Sequence, residues 1–320
     1  MICGNGTVSG TVTLLKNVKE KINNKRTDKT ITVSLGTYRV EWSEDNTYVI
    51  YNYGKLTLRG TSSTSQANIG STQYSNTNGI YNGSNGTLIC WYLSFNSYKT
   101  SLSNNGTAYI HYSDMSPVSS NAIYSNGGTI DLSGSTLSVH GSNSPTVIIK
   151  NTTLNFKSGT ITSALGGKAI YASGASVLNV SGGTISSDTR TSCKDTLIGV
   201  FGDSAKMNMT GGTINNTKKM VGAICGQNNG NIINCINKAN IFVELDGDTS
   251  CVGGISGYNT ANAVIENCRN TGYIYGKGKL VGGICGYSFG EIKKCYNSGE
   301  IKSDSEQVAG IAGDSEGTSS

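Results

Sequence analysis

The sequence predicts an all-β chain wound as a right-handed parallel β-helix, a β-solenoid running as one elongated body. Three observations carry that expectation. Among 320 residues, 43 are Gly, only 2 are Pro, and 14% are charged. Short strands broken by Gly and Asn turns fit this composition, whereas a disordered chain would couple low hydrophobicity to high net charge. Next, four alternating segments close on Leu137, Ile161, Ile185 and Ile214, in steps of 24, 24 and 29 residues. Finally, a longer unit, VGGICGYSFGEIKKCYNSGEI from Val281 to Ile301, recurs from Val221 and Val252 and begins again at Val308, in steps of 31, 29 and 27. A period this regular means one supersecondary unit stacked on copies of itself. Leucine-rich repeats share the length but need a Leu-rich consensus, and propeller blades need about 40 residues.

Taken in order, residues 7–15 and 30–40 read as strands rich in Thr, Val and Ile. Lys16–Lys29 between them is polar, with Leu14, Leu15, Val18 and Ile22 at near-helical spacing, so a short capping helix competes with a solvated turn there. Tyr48–Arg59 gives two strands around Tyr53-Gly54, and Thr61–Asn78, without periodicity, reads as a long flanking loop. From Ile80 a rhythm of apolar strand, Gly/Asn turn, alternating strand and Gly-Thr step runs through residues 122, 147, 169 and 198. Stacking explains it: one rung cannot bury its inward side chains alone, and rungs about 4.8 Å apart close the core for each other. Gly is expected at corners needing φ > 0, and Asn in the same role, laddering its amides. The change of repeat style divides the chain into 1–218 and 219–320.

The net charge of +5 is small and dispersed. Lys16–Lys29 is the one basic cluster and lacks interleaved aromatics, so no nucleic-acid partner is expected. No apolar run approaches the roughly 20 residues that span a bilayer, so no direct membrane insertion is expected. The opening MICGNGTVSG is too polar for a signal peptide, and the last repeat stops partway. The expectation is a part of a larger chain.

TVTLLKNVKEKI, KTITVSLGTYRV, NYGKLTLRG and the GGTI units resemble pectin-lyase-like β-helices of secreted and surface proteins of bacteria. The repeats from Val221 onward resemble the GLUG repeat, through VGGI-x-G, a polar turn, I-x-x-C and N-x-G. The solenoid is thus expected to carry GLUG-type rungs at its C-terminal end. GLUG repeats accompany bacterial surface proteins and some IgA-cleaving metallopeptidases, which implies an extracellular or cell-surface location. The metallopeptidase chemistry needs two His one helical turn apart with Glu between them. Here Tyr112 follows His111 and Gly141 follows His140, so that site is absent from the sequence.

A carbohydrate-active enzyme, polysaccharide lyase or glycosidase, is the rival reading on the same scaffold. A glycosidase needs paired carboxylates about 5–9.5 Å apart. The nearest candidates are Glu44/Asp45, Asp246/Asp248 and Glu266, and His140-Gly141 lacks partnering carboxylate motifs. Asp246-Gly247-Asp248 suits a calcium-binding turn or, more simply, a hairpin or corner. No catalytic residue, metal ligand or cofactor is assigned. Three or more charged side chains converging in a groove on one flank would favour the enzyme. The sequons at Asn5, Asn85, Asn105, Asn151, Asn208 and Asn215 read as turn chemistry.

Of the nine cysteines, five fall into repeat slots. Cys225 and Cys285 share one with Ser256 and Ala312; Cys235, Cys268 and Cys295 share a second, 14 or 16 residues after the leading Val. Interchange of Cys, Ser and Ala marks a tight inward position, so a structural stack of free thiols is expected ahead of a disulfide between rungs. Zinc would need short Cys spacings or His partners. Aromatics cluster at Tyr48, Tyr51 and Tyr53 and at Trp91, Tyr92, Phe95 and Tyr98; by alternation half point inward. Tyr51, Tyr53, Tyr258, Tyr287 and Phe289 are the candidate ligand contacts. The partners expected are glycans or a host or cell-surface protein. The expected role is a non-enzymatic adhesive or structural stalk.

Overall fold

The computed structural model describes residues 10–42, 44, 46–70, 76–97, 99–140, 144–163, 167–187, 197–201, 205–216, 220–233, 235–304 and 306–316; for Lys206, Asn216 and residues 245–249 it describes the backbone alone. The described chain is all β, laid down as short strands in long parallel ladders: a parallel β-helix. The chain divides into two compact units, residues 1–160 and 161–320. The change of repeat style near residue 218 is a separate division, a change in rung shape inside the second unit.

Each rung of the first unit lays strands on three faces. The first face stacks Ile22–Asn24, Tyr48–Asn52, Asn78–Asn82, Leu102–Asn104, Ile123–Asn126 and Val147–Lys150. The second stacks Thr30–Gly36, Lys55–Gly60, Thr87–Trp91, Thr107–His111, Thr129–Ser133 and Thr153–Phe156, with Gly10–Thr13 pairing beneath. The third stacks Arg39–Glu41, Ala67–Gly70, Leu93–Asn96, Asp114–Met115 and Ser135–Leu137. Period-2 alternation sends one set of side chains inward, and parallel register turns each set into a column. Ile22–Ile50–Ile80–Leu102–Ile123–Val147 is one. Val40–Ile69–Phe95–Met115–Leu137 is another, every member shielded from solvent. Burying each large side chain stabilises the fold by about 1.5–3 kcal/mol.

Two sequence expectations are corrected here. Lys16–Lys29 is more than a solvated turn and holds no helix: Val18 forms a parallel bridge to Val40, and Ile22–Asn24 is a strand. The strands above offer an open ladder, and pairing with it satisfies the backbone where an isolated helical turn would not. Within Thr61–Asn78, Ala67–Gly70 is the third-face strand of its rung, and residues 71–75 lie outside the described set.

Turn chemistry is also divided differently from the expectation. Left-handed backbone occurs at glycines such as Gly134 (φ 63°), but also at Asn151, Asn267, Lys294, Tyr92 and Tyr112. The asparagines that ladder are a separate set, in ordinary conformations at strand ends. Asn24, Asn52, Asn82 and Asn104 pass amide hydrogen bonds from rung to rung at 2.7–2.8 Å, continued by Ser125 and Thr152 at 3.1 Å. In the second unit Asn237–Asn270–Asn297 repeats this at 2.7 and 2.8 Å.

The second unit opens with three-strand rungs, for example Ile170–Ser173, Val177–Val180 and Thr184–Ser187. From Met220 each rung breaks into more strands of uneven length, from the two residues Ile236–Asn237 to the fourteen of Asn240–Gly253. Val221–Val252–Val281–Val308, aligned by sequence, are register partners, as are Cys225–Ser256–Cys285–Ala312 and Ile232–Ile265–Ile292. The first Gly of VGGI is required by close approach, not by φ: a Cβ on Gly282 would lie 1.9 Å from the Cys285 carbonyl oxygen. Asp246-Gly247-Asp248 is no tight turn; it lies inside the strand Asn240–Gly253, with register shifts on both sides of Gly247.

Candidate functional site

Outward columns are where a solenoid presents chemistry, and the first unit carries two aromatic ones. On the first face Asn23, Tyr51, Tyr81, Ser103, Tyr124 and Ile148 stand in register. Tyr48 lies three residues before Tyr51, and Tyr53 follows at the corner, where Gly54 lets the chain pass so close to Arg26 that a Cβ would sit 1.6 Å from its carbonyl oxygen. Ring centroids are 5.5 Å apart for Tyr48–Tyr51 and Tyr48–Tyr81, and 5.7 Å for Tyr53–Tyr81. The Asn105 amide donates to the Tyr81 hydroxyl at 3.1 Å, and Lys150 lies 5.6 Å above the Tyr124 ring. Burial raises the Tyr48 and Tyr53 phenols above their ordinary pKa, so both remain hydrogen-bond donors in neutral solution. Tyr53 is the exposed edge of the cluster, and Tyr51 is its half-buried floor.

The second face carries Arg59, Trp91, His111 and Ser133 in one column, beside Thr57, Ile89, Tyr109, Asp131 and Asn155 in the next. Trp91 and His111 stack at 4.0 Å, 23° from parallel. Tyr92 and Tyr112, both left-handed, turn the corner and stack on each other at 5.6 Å. One rung on, the equivalent residue is Gly134; a Cβ there would lie 2.5 Å from the Tyr112 ring, so glycine makes the seat for that ring. Left-handed backbone costs a bulky residue roughly 1–2 kcal/mol, so two tyrosines held there are a strained, over-determined feature. Asp131 accepts from Lys157 and from Asn155, both at 2.6 Å. Burial works against the Asp131 carboxylate, but those hydrogen bonds outweigh it and lower its pKa. Burial and then Lys157 hold His111 below its usual range, against the pull of Asp131.

Sequence reading found Trp91 and Tyr92 but not Tyr81, Tyr109, His111, Tyr112 or Asp131 as companions. Aligning TLICWY with TAYIHY and TIDLSG, one rung apart each, is the signal that would have found them. Phe95, grouped with these aromatics in the sequence, points into the core, and Tyr98 lies outside the described residues. Of the candidate acids, the side chains of Glu44 and Glu266 are described, and each is held by basic or indole partners of its own. Glu44 is held by Lys21 and the Trp42 indole, Glu266 by Lys293 and Lys294 at 3.7 and 3.4 Å, and Asp45 lies outside the described set. His140 is exposed.

In the second unit Gln227, Tyr258, Tyr287 and Asp314 form an outward column. Phe289 closes a three-ring cluster, 4.8 Å from Tyr287 and 5.8 Å from Tyr258. The Tyr287 hydroxyl donates to Glu316 at 2.7 Å, which pushes its pKa up to about 12.

The seven described cysteines are free thiols. Cys225, Ser256 and Cys285 each donate to the carbonyl two residues on, at 2.7, 2.9 and 3.2 Å. That slot wants a small side chain with a proton to give. Burial pushes the Cys225 thiol up to about 11 and Cys285 further. Cys235, Cys268 and Cys295 form a second column, each thiol donating to the carbonyl two residues back, at 3.5, 3.2 and 3.3 Å. The residue before the thiol is left-handed at both Asn267 and Lys294, which turns Cys268 and Cys295 toward the core. Among the described residues, no three His, Cys, Asp or Glu side chains are placed to hold a metal ion.

Residues 248–275 match the GLUG motif, so the chain carries a GLUG repeat on the rung that includes Tyr258 and Cys268. No curated protein and no solved structure matches the chain.

Proposed function

We propose that this chain is a secreted or cell-surface, non-enzymatic solenoid, of bacterial origin and with pectin-lyase-like N-terminal rungs, that acts as an adhesive stalk and takes glycans on its outward aromatics. The observation that carries this reading is the Tyr48–Tyr51–Tyr53–Tyr81 cluster. Tyrosine offers a rigid apolar face for a sugar ring and a hydroxyl for its polar edge, and Asn105 adds an amide at the same place. A flat, repeated ladder suits an extended chain better than a small molecule, which prefers a concave pocket. The experiment is a glycan array read with wild type, Tyr53→Ala and Tyr81→Ala. Binding lost in both variants, with circular dichroism unchanged, supports the reading; binding retained in both removes this site.

One observation favours the enzyme. His111, Asp131 and Lys157 gather beside Trp91 with Arg59 in the same column, the kind of convergence a carbohydrate-active enzyme uses. Asp131 is the sole carboxylate of the two columns among the described residues, one short of the glycosidase pair. Release of unsaturated or reducing ends from a polysaccharide panel, abolished by His111→Gln, would establish that alternative over the stalk.

A further inference from the structure

The cysteine column Cys235–Cys268–Cys295 differs from the other thiols in two respects. Its members occupy consecutive rungs, where Cys225 and Cys285 are separated by the Ser256 rung. It also reaches solvent: Cys90, Cys225, Cys235, Cys251, Cys268 and Cys285 are buried, and Cys295 is half-exposed. Ile236, Arg269 and Tyr296, the residues following the three thiols, are register partners, so the thiols lie on consecutive parallel rungs. Neighbouring Cα atoms across a parallel ladder are about 4.8 Å apart, inside the range a disulfide spans. Parallel Cβ vectors alone would hold the sulfurs apart, but each sulfur leans onto the preceding rung, Cys268 Sγ to 3.5 Å from the Ile232 carbonyl oxygen and Cys295 Sγ to 3.5 Å from that of Ile265.

We propose that Cys295 is a thiol-exchange site for low-molecular-weight disulfides, with Cys268 on the neighbouring rung as the resolving thiol. The Cys295 thiolate attacks one sulfur of the incoming disulfide RS–SR, forming Cys295–S–SR and releasing RS⁻. Cys268 then gives up its proton to that RS⁻ as its sulfur attacks the Cys295 sulfur. The bond to the second R–S breaks, and a second RS⁻ leaves. The two protein thiols are oxidised, the incoming disulfide is reduced, and two consecutive rungs are stapled together.

The surroundings favour this division of labour. The neighbouring Cys268 thiol lowers the Cys295 pKa to about 7, and the Cys268 pKa is raised by Cys235 first and then by Cys295. Glu266 on the neighbouring rung opposes the Cys295 thiolate. Lys293 and Lys294 bracket Glu266 at 3.7 and 3.4 Å, and Lys293 also binds Glu291 at 3.1 Å, so the acids are largely neutralised. A low-pKa, accessible thiol beside a resolving thiol is the arrangement that thiol–disulfide exchange requires.

The test uses dithiobis(nitrobenzoate), an aromatic disulfide whose released thiol absorbs, on the native full chain with Cys3 and Cys193 replaced by Ser. The expected result is one fast phase releasing two equivalents per chain, half-maximal in rate near pH 7. Intact mass should show no retained label, and peptide mapping should show a cross-link between the peptides of Cys268 and Cys295. With Cys268→Ser, one equivalent is released and the label stays on Cys295; with Cys295→Ser, the fast phase disappears. The mapping needs no substitution in the column, so misfolding of either variant does not blunt it. A fast phase that labels another cysteine, or native protein that releases thiol without the 268–295 cross-link, overturns the proposal.

Discussion

At the scale of single residues, the least expected finding is that two outward histidine-bearing positions behave so differently. His140 is exposed, whereas His111 lies flat against Trp91 and feels the Lys157–Asp131 ion pair. Its pKa is lowered, first by burial and then by Lys157. A depressed folded-state pKa means that the unfolded chain, near 6.5, takes up its proton first as pH falls. The contribution to stability is therefore intact above about pH 6.5 and is lost as pH falls through the lower folded value. Urea unfolding at pH 7 and pH 5 should show wild type losing more stability than His111→Gln does. Equal losses in the two proteins would show that His111 titrates as it does when unfolded. Nothing in the local sequence TAYIHY announces this; it follows from stacking a neighbour's Trp at the same strand position, which only register reveals.

At the scale of the element, the corner VGGI-x-G explains both what was readable and what was not. Its valines, cysteines and isoleucines were aligned correctly from sequence because an inward slot in a tight core tolerates few shapes. The glycines were assigned to positive φ, yet Gly282 and Gly253 are needed because the chain doubles back onto its own carbonyls. Sequence cannot separate these causes, since both exclude a Cβ. Both roles expected of Asn occur, but on different residues, which the sequence leaves undivided because Asn serves left-handed corners and amide ladders alike. The close approach predicts a severe effect from the smallest change available. Gly282→Ala puts a Cβ 1.9 Å from the Cys285 oxygen, and backbone on both sides must move. A loss of about 2–4 kcal/mol is expected, at the upper end of single substitutions. Thermal melts of Gly282→Ala beside Gly10→Ala, whose Cβ would meet nothing within 4 Å, give the comparison. Equal midpoints for the two would remove the packing argument.

At the scale of the molecule, the parallel ladders make stability a matter of neighbours. Each rung presents both its backbone edges and its core side chains to the rungs beside it, so its free energy is a sum of its own term and two interface terms. That is why composition and period sufficed for the fold, and why the candidate faces did not follow: inward positions repeat, while outward ones are free to differ from rung to rung. Asn52 is the place to test such locality, because it takes a hydrogen bond from Asn24 at 2.8 Å and gives one to Asn82 at 2.7 Å. Asn52→Ala leaves a buried donor and a buried acceptor unpaired on the two flanking rungs, at a cost of about 1–3 kcal/mol for each. Hydrogen exchange should then quicken in 22–24, 48–52 and 78–82, fade by 123–126, and stay at wild-type values in 281–288. Exchange that quickens equally in 281–288 would mean that the rungs unfold as one body, and the nearest-neighbour description would have to be given up.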